Sequence, residues 1–238
     1  MKRIVILTTN TLHHRYFINT ILENNIIINK GLFETEHVKP KFRVGPFYEK
    51  EEIEFEKDNF FKKVDDNLKL EHVDKVDNIN SRPSYRILKD IKPDFGIVFG
   101  TGIIRSKIIK LFKDGLINVH RGVAQRYRGL DSDLWAIYHS DYENIGVTIH
   151  KVERTLDTGE IIGQQRLKIL KNMKIYQIRY YTTLIATDLV VESVKNYLDN
   201  ILKWDKQEKR GRYYSFMPLV LKKTVAKKFH RFSERLDA

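Results

Sequence analysis

Asn118 and His120 are polar residues two positions apart in an otherwise apolar stretch that begins at Leu116. Residues i and i+2 of a strand point to the same face, and active sites commonly form at the carboxyl ends of parallel strands. An asparagine amide can donate a hydrogen bond to a developing oxyanion, and a histidine can move a proton near neutral pH. Such a pair alone is more often structural, so its meaning depends on the residues that accompany it.

A carboxylate, Asp157, lies in the segment 156–162, which connects two β-branched stretches. Gly159 follows it and permits tight or positive-φ backbone geometry. As an ordinary connection, the segment would hold Asp157 in a local turn hydrogen bond. As a functional one, it would supply a carboxylate that orients His120 and stabilises its imidazolium.

The loop that directly follows His120, residues 121–129, contains two glycines and three arginines. Glycines let a loop approach a ligand closely, and arginines supply cations to anionic groups. The sequence therefore predicts a ligand-binding loop directly after the candidate catalytic residue His120.

The elements that must position these residues follow an α/β pattern. Apolar periodicity predicts a strand over 3–9, a helix over 13–24 and a strand over 25–33, which favours a parallel sheet. We therefore expect a Rossmann-like, mostly parallel twisted sheet flanked by helices. The later predicted helices are 49–68 (with Val64 facing inward), 82–91, 106–112, 131–139 and 174–201, and the later strands are 95–99, 115–120, 146–152 and 161–169.

The composition indicates a folded chain without thiol chemistry. Of 238 residues, 42% are hydrophobic, which is enough for a core, and cysteine is absent. His13 and His14 are adjacent rather than at metal-ligand spacing, so no metal is expected. No apolar run approaches the roughly 18 residues that span a bilayer, and the run after Met1 is too short for an export signal. These observations predict a cytoplasmic protein without a membrane span.

The net charge of +12 lies largely in the last part of the sequence, because residues 201–238 contain 11 Lys and Arg against 4 Asp and Glu. A basic segment attracts polyanions, so a nucleic-acid-binding module is one alternative and a solvated surface is another. Aromatic residues accompany these charges. We therefore expect a catalytic domain over residues 1–203 and a packed, basic aromatic appendage over residues 204–238.

Taken together, these segments resemble the folate-dependent formyltransferase family, and within it most of all the sugar-nucleotide N-formyltransferases. The motifs that carry the resemblance are Asn118-Val119-His120, Tyr127-Arg128-Gly129, Gly146-Val147-Thr148-Ile149-His150 and Asp157-Thr158-Gly159-Glu160-Ile161. Their order and spacing match, and the resemblance is strongest over residues 94–165. Residues 121–125 depart from the family, which commonly has Pro-Ser or Gly-Ser and then Leu-Leu-Pro there. In the family this loop lies beside the amine substrate, so the departure bears on the identity of that substrate.

The resemblance implies the formyltransferase fold and formyl transfer from 10-formyltetrahydrofolate to a primary amine, with no metal. Asn118 and protonated His120 would donate to the oxygen of a tetrahedral intermediate, and Asp157 would hold His120 and raise its pKa. His150 is expected to pack in or beside the sheet. The implied folate contacts, largely through backbone, are Gly100, Gly102, Ile103, Ile104, Thr155 and Leu156. The implied substrate contacts are Thr9, Asn10, His13, His14, Arg121, Tyr127 and Arg128. An ordinary helix cap with exposed histidines is the alternative for the first four.

The amine substrate implied by the resemblance is a nucleotide-linked amino-dideoxy sugar used in surface polysaccharide (O-antigen-type) synthesis, handled by a homodimer. The alternatives are a glycinamide ribonucleotide-like amine and methionyl-tRNA. The transfer-RNA branch normally carries a separate C-terminal barrel, for which the 34 residues after Trp204 are few. Nucleic acid is therefore not the expected partner. A dinucleotide-dependent enzyme is disfavoured, since residues 8–13 lack the glycine-rich phosphate-binding pattern.

Overall fold

The computed structural model describes residues 2–36, 39–62 and 66–237. The strands in these ranges are β1 (Ile4–Thr8), β2 (Lys30–Glu34), β3 (Val73–Val76), β4 (Phe95–Phe99), β5 (Gly115–His120), β6 (Tyr127–Gly129), β7 (Gly146–Lys151), β8 (Ile161–Arg166) and β9 (Arg212–Tyr214). The helices are α1 (Leu12–Glu23), α2 (Glu49–Phe60), α3 (Arg82–Ile91), α4 (Ser106–Ile109), α5 (Ser132–Tyr138), α6 (Ile178–Leu198) and α7 (Leu219–Glu234). Short 3₁₀ turns occur at Tyr142–Asn144 and Ile175–Gln177.

The main sheet joins its strands in the order β3-β2-β1-β4-β5-β7-β8. The pairs from β3 to β5 are parallel, whereas β7 is antiparallel to both β5 and β8. The predicted mostly parallel sheet with flanking helices is therefore confirmed. The strand order reverses between β1 and β4, and doubly wound sheets place ligands outside the carboxyl ends of the strands at such a point.

Hydrophobic layers cover both faces of the sheet. Ile4 and Ile6 of β1 pack with α1 and α6, whereas Val5 and Leu7 pack with α3 and α4 on the opposite face. Successive residues of a strand point to opposite faces, so a strand covered on both sides is apolar throughout. This explains the uninterrupted apolar run in β1.

A third apolar cluster joins the residues after 204 to the middle of the chain. Met217, together with Val225 and Phe229 of α7, is fully buried in a cluster that also contains Ile137 of α5 and Met173. Strand β9 pairs in parallel with β6 in a separate small sheet. The C-terminal segment thus shares its core with earlier residues, and the division at residue 203 stays a prediction.

The predicted ranges of α3, β4 and β5 agree with the structure, and others differ at their ends. The strand predicted over 25–33 starts only at Lys30, because Asn25 has a φ of 61° and ends the preceding helix in a turn. The helix predicted over 49–68 ends at Phe60, and Val64 lies outside the described residues. No helix in the described ranges combines the length and apolar character needed to cross a bilayer.

Candidate active site

The antiparallel pairing of β5 with β7 brings two polar side chains together in the sheet. Its register places Asn118 opposite His150, and His120 opposite Thr148. Asn118 Nδ2 lies 3.3 Å from His150 Nε2. His120 and His150 are buried, whereas Asn118 is half-buried. Asn118 is therefore the member of this group that is most open to a ligand.

Asp157 joins the group from the turn between β7 and β8. Its Oδ2 accepts a hydrogen bond of 2.7 Å from the Gly129 N–H and lies 3.5 Å from His120 Nδ1. Its Oδ1 lies 3.2 Å from His150 Nε2. These contacts form one polar network, Asn118–His150–Asp157–His120, which we call the catalytic network.

The backbone of this turn differs from the sequence-based expectation in one respect. The positive φ, 53°, belongs to Asp157, a residue type that tolerates the left-handed region. Gly159 is required for close approach instead, since a side chain there would overlap the carbonyl oxygen of Lys151. The turn is therefore packed directly against the end of β7.

Burial and neighbouring charges set the protonation states in the catalytic network. Burial lowers the pKa of His120, although the Asp157 carboxylate acts to raise it. Burial acts to raise the pKa of Asp157, but His120, His150 and the Gly129 N–H together bring it down to about 2. Asp157 thus acts on the pKa of His120 in the expected direction, but desolvation of the imidazolium outweighs the attraction of one carboxylate.

Hydrogen bonds to carbonyl groups fix where each histidine can take a proton. His120 Nε2 lies 2.8 Å from the Tyr127 carbonyl oxygen, and His150 Nδ1 lies 2.8 Å from that of Lys151. A carbonyl only accepts, so these two nitrogens carry hydrogens. In the neutral rings, the lone pairs lie at the two nitrogens that face Asp157. A proton gained at His120 Nδ1 is stabilised by the carboxylate.

His150 is the site residue whose role the sequence did not predict. It lies within the sheet, as expected, but it also bridges Asn118 and Asp157. The signal that could have found it is the register of β5 with β7, which no residue spacing reveals before the antiparallel pairing is known.

The loop after β4, where folate contacts are implied, is held by two side chains. The buried Glu34 carboxylate accepts a hydrogen bond of 2.7 Å from the Gly102 N–H. Asn80 Nδ2 donates to the Ile103 carbonyl at 2.8 Å. Ile104 is buried, whereas Ile103 is 63% exposed. The loop is thus anchored from within and presents an apolar side chain at its surface.

The first βα turn contributes buried side chains rather than surface cations. Thr9, His13 and His14 are buried, whereas Asn10 and Thr11 are exposed. Burial lowers the pKa of both histidines well below its usual value. The alternative of exposed histidines is wrong, and neutral rings can offer a substrate hydrogen bonds but no charge. In the described part of the chain, no cluster of His, Asp or Glu side chains is placed to hold a metal ion.

His14 has an unusual environment within this turn. Its Nδ1 lies 2.7 Å from Thr11 Oγ1 and 3.1 Å from Thr9 Oγ1. Its Nε2 is buried and has no hydrogen-bond partner among the described residues. A side chain at Gly100, whose φ is 79°, would overlap this nitrogen. The unpartnered atom therefore faces the loop after β4.

Tyr127 and Arg128 are buried and bonded to the protein itself. The Tyr127 hydroxyl donates to Asp141 Oδ2 at 2.9 Å. Arg128 Nε donates to the Gly211 carbonyl at 2.6 Å, and Nη1 donates to the Leu156 carbonyl at 2.9 Å. This geometry lends no support to the substrate contacts predicted for these two side chains.

Arg121 differs from Arg128 in its surroundings. It is half-buried directly after His120, and its guanidinium has no hydrogen bond or ion pair within the described residues. Burial raises the pKa of Glu52 to about 7, although Arg179 and Arg121 act to lower it. The Arg121 guanidinium acts electrostatically on His13 and His14 of the first βα turn, and on the carboxylates of Glu52 and Asp133.

Thr155 and Leu156 precede Asp157 in the turn after β7. Thr155 is exposed, and its carbonyl accepts a hydrogen bond of 3.0 Å from Thr158 Oγ1. Arg154 Nε donates to Ser106 Oγ at 3.0 Å. This bond joins the turn to the start of α4, so both predicted folate-binding segments border one region.

A comparison with known sequence families identifies the family of this chain. The formyl transferase family matches this sequence over residues 61–191, which is more than half of the chain. The chain therefore belongs to the formyl transferase family.

Part of the chain is also similar in sequence to individual proteins. The chain is 27% identical over 135 residues to a methionyl-tRNA formyltransferase of Finegoldia magna, which covers 55% of this chain and 43% of that protein. The chain thus spans less than half the length of that relative.

Solved structures show the same fold. A 4-N formyltransferase from Francisella tularensis superposes with a TM-score of 0.63 at 16% identity, covering 90% of this chain and 76% of that one. The formyltransferase PseJ from Anoxybacillus kamchatkensis, in complex with UDP-4,6-dideoxy-4-formamido-L-AltNAc and tetrahydrofolate, gives a TM-score of 0.58 at 21% identity. That match covers 90% of this chain and 85% of PseJ.

Proposed function

We propose that this chain transfers a formyl group from 10-formyltetrahydrofolate to the amino group of a nucleotide-linked amino-dideoxy sugar. The catalytic network at the carboxyl end of β5 is the observation that carries the proposal. The structure of PseJ with a formamido sugar nucleotide and tetrahydrofolate supports both substrates. The sequence-based expectations of a cytoplasmic homodimer and of a product used in surface polysaccharide synthesis belong to the same proposal.

Each member of the catalytic network has a distinct task in this proposal. The half-buried Asn118 amide donates a hydrogen bond to the oxygen that gains negative charge during acyl transfer. His120 accepts at Nδ1 the proton that the attacking amine loses, and later gives it to the leaving nitrogen of tetrahydrofolate. The ionised Asp157, 3.5 Å away, stabilises the imidazolium in between. His150 links Asn118 to Asp157 and thereby orients the amide.

Two observations support folate binding at the loop after β4. Ile103 offers an exposed apolar side chain to a ring, and the unpartnered His14 Nε2 offers a hydrogen bond beside Gly100. When bound, the folate supplies the formyl group. The residues that would hold it are Gly100, Gly102, Ile103 and Ile104, with Thr155 and Leu156 on the neighbouring turn.

A cleft of about 1080 Å³ between the start of α2 and α7 supports a nucleotide-linked substrate. Its lining includes basic side chains (Arg43, Lys174, Lys223, Lys227), two acidic ones (Glu49, Glu51) and aromatic rings (Phe47, Tyr48, Tyr176). Cations bind phosphates, and aromatic rings stack on bases. In this proposal, Lys223 and Lys227 of α7 would bind the phosphates of the substrate.

Methionyl-tRNA is the second candidate substrate. It is favoured by the relative from Finegoldia magna and by one from Clostridium beijerinckii, 30% identical over 140 residues and also described as a methionyl-tRNA formyltransferase. The basic face of α7 would equally suit an RNA backbone.

A formyl-transfer assay distinguishes these candidates. The chain is incubated with 10-formyltetrahydrofolate and a panel of nucleotide-linked 3-amino and 4-amino sugars or methionyl-tRNA, and products are identified by mass. We expect one amino-sugar nucleotide to be formylated, and Asn118→Ala to reduce the rate by roughly 100-fold or more. His72→Ala, at an exposed histidine, serves as the control. Formylation of methionyl-tRNA alone would establish the second candidate, and no transfer to any amine would refute both.

A further inference from the structure

A C-terminal segment, residues 205–212, crosses the two loops that surround the catalytic network, and we call it the strap. At its start, Asp205 and Ile161 exchange backbone hydrogen bonds of 2.7 and 2.8 Å. At its end, the Arg212 N–H donates to the Arg126 carbonyl at 3.0 Å. The strap therefore runs from the first residue of β8 to the loop that follows His120.

Gln207 connects the strap to the turn that carries Asp157. Its Nε2 donates to the Asp157 carbonyl at 3.0 Å and to the Gly159 carbonyl at 2.8 Å. Carbonyls only accept, so both amide hydrogens of Gln207 are directed into this turn. The Oε1 of Gln207 is buried without a hydrogen-bond partner among the described residues. The side chain is thus oriented by the two bonds from its Nε2.

The strap also holds the neighbouring residues of both loops. Arg128 bridges the Gly211 carbonyl and the Leu156 carbonyl, immediately before Asp157. Gln125 Oε1 accepts from the backbone N–H groups of Glu208 and Lys209, at 2.7 and 3.1 Å. The loop after His120 and the turn of Asp157 are therefore fixed to the same segment.

We propose that Gln207 is a positioning residue, whose amide holds the Asp157 turn so that the carboxylate faces both His120 and His150. This inference rests on the proposed function. The carboxylate lies 3.5 Å from His120 Nδ1 and 3.2 Å from His150 Nε2, with little distance to spare before both contacts are lost. A displacement of about 1 Å at a catalytic group can reduce a rate by roughly 100-fold.

Gln207→Met tests the proposal, because methionine keeps the side chain's length and removes both donors. We expect kcat to fall on the order of 10- to 100-fold while KM changes little, as for other residues that hold a catalytic group. The His120 ring should also titrate at lower pH by NMR, since Asp157 is the group that raises its pKa. Glu208→Met, at the exposed neighbour, keeps its backbone bond to Gln125 and should leave both quantities unchanged.

Wild-type kcat and an unchanged His120 titration in Gln207→Met would overturn the proposal. A loss of kcat no larger than the fraction of Gln207→Met that is unfolded by circular dichroism would also overturn it. The same holds if Glu208→Met loses as much kcat as Gln207→Met. If the wild-type chain transfers no formyl group, the proposed function fails. The His120 titration needs no turnover, so it still reports whether Gln207 positions Asp157.

Discussion

Replacing Arg128 by methionine tests whether this arginine supports the fold or binds substrate. The residue is 7% exposed, and it donates hydrogen bonds of 2.6 and 2.9 Å to the carbonyls of Gly211 and Leu156. Methionine fills much of the same space but leaves the buried Gly211 carbonyl and the half-buried Leu156 carbonyl without this donor. Hydrogen bonds from charged groups contribute about 1.5 to 3 kcal/mol each, so two are worth about 3 to 6 kcal/mol.

Desolvation of the guanidinium opposes this gain, and burial accordingly lowers the pKa of Arg128. We therefore expect Arg128→Met to reduce the free energy of unfolding by the lower end of that range, about 3 kcal/mol. Urea unfolding at pH 7, followed by tryptophan fluorescence, measures the loss.

Arg126→Met is the matched control, because Arg126 is exposed in the same loop. Its effect should stay within about 0.5 kcal/mol. Equal stability of the two variants, with a raised KM for the amine substrate only in Arg128→Met, would refute the structural role. It would instead show that Arg128 binds substrate.

Three further expectations concern other buried polar groups. Asp157→Asn should reduce turnover and lower the pKa of His120, because the carboxylate that raises it is removed; an unchanged NMR titration would contradict the network. Glu56→Gln should cost about 3 kcal/mol in urea unfolding, since this fully buried carboxylate accepts bonds of 2.6 and 2.9 Å from Arg179, and a change near zero would count against that pair. Burial lowers the pKa of His14, so the unfolded chain binds its proton more readily and stability should fall as the pH drops below about 6.5. His14→Gln should flatten this dependence in urea titrations, and equal slopes would argue against it.

The strands that carry the site could be predicted because their physical requirements are visible in the sequence. β1, β4 and β5 are covered on both faces, so their residues are largely apolar and their ends are marked by polar or glycine residues. β3 was not predicted, because Asp74 and Lys75 occupy half of this short edge strand. Among the described residues, β6 and β9 pair only with each other, across a separation that local patterns do not reveal.

The sequence predicts which residues form the site better than it predicts their pKa values. The order and spacing of the motifs predict Asn118, His120 and Asp157 as site residues. The structure places Asp157 between His120 and His150. The net direction of the pKa of His120 depends on burial, which the sequence does not quantify. The sequence predicts Arg128 as a substrate contact because it does not show which carbonyls surround the guanidinium. Only the folded loops show that these are the carbonyls of Gly211 and Leu156.

The strap has a consequence for the order in which the molecule is made. Its hydrogen bonds to the active-site loops join residues between 48 and 86 positions apart in the chain. Contacts of such separation require loop closure, which carries an entropic cost that local contacts lack. Because synthesis proceeds from the amino terminus, Asp157 emerges from the ribosome well before Gln207. A nascent chain that has emerged only through α6 therefore carries Asn118, His120 and Asp157 but has yet to acquire the contacts that align them.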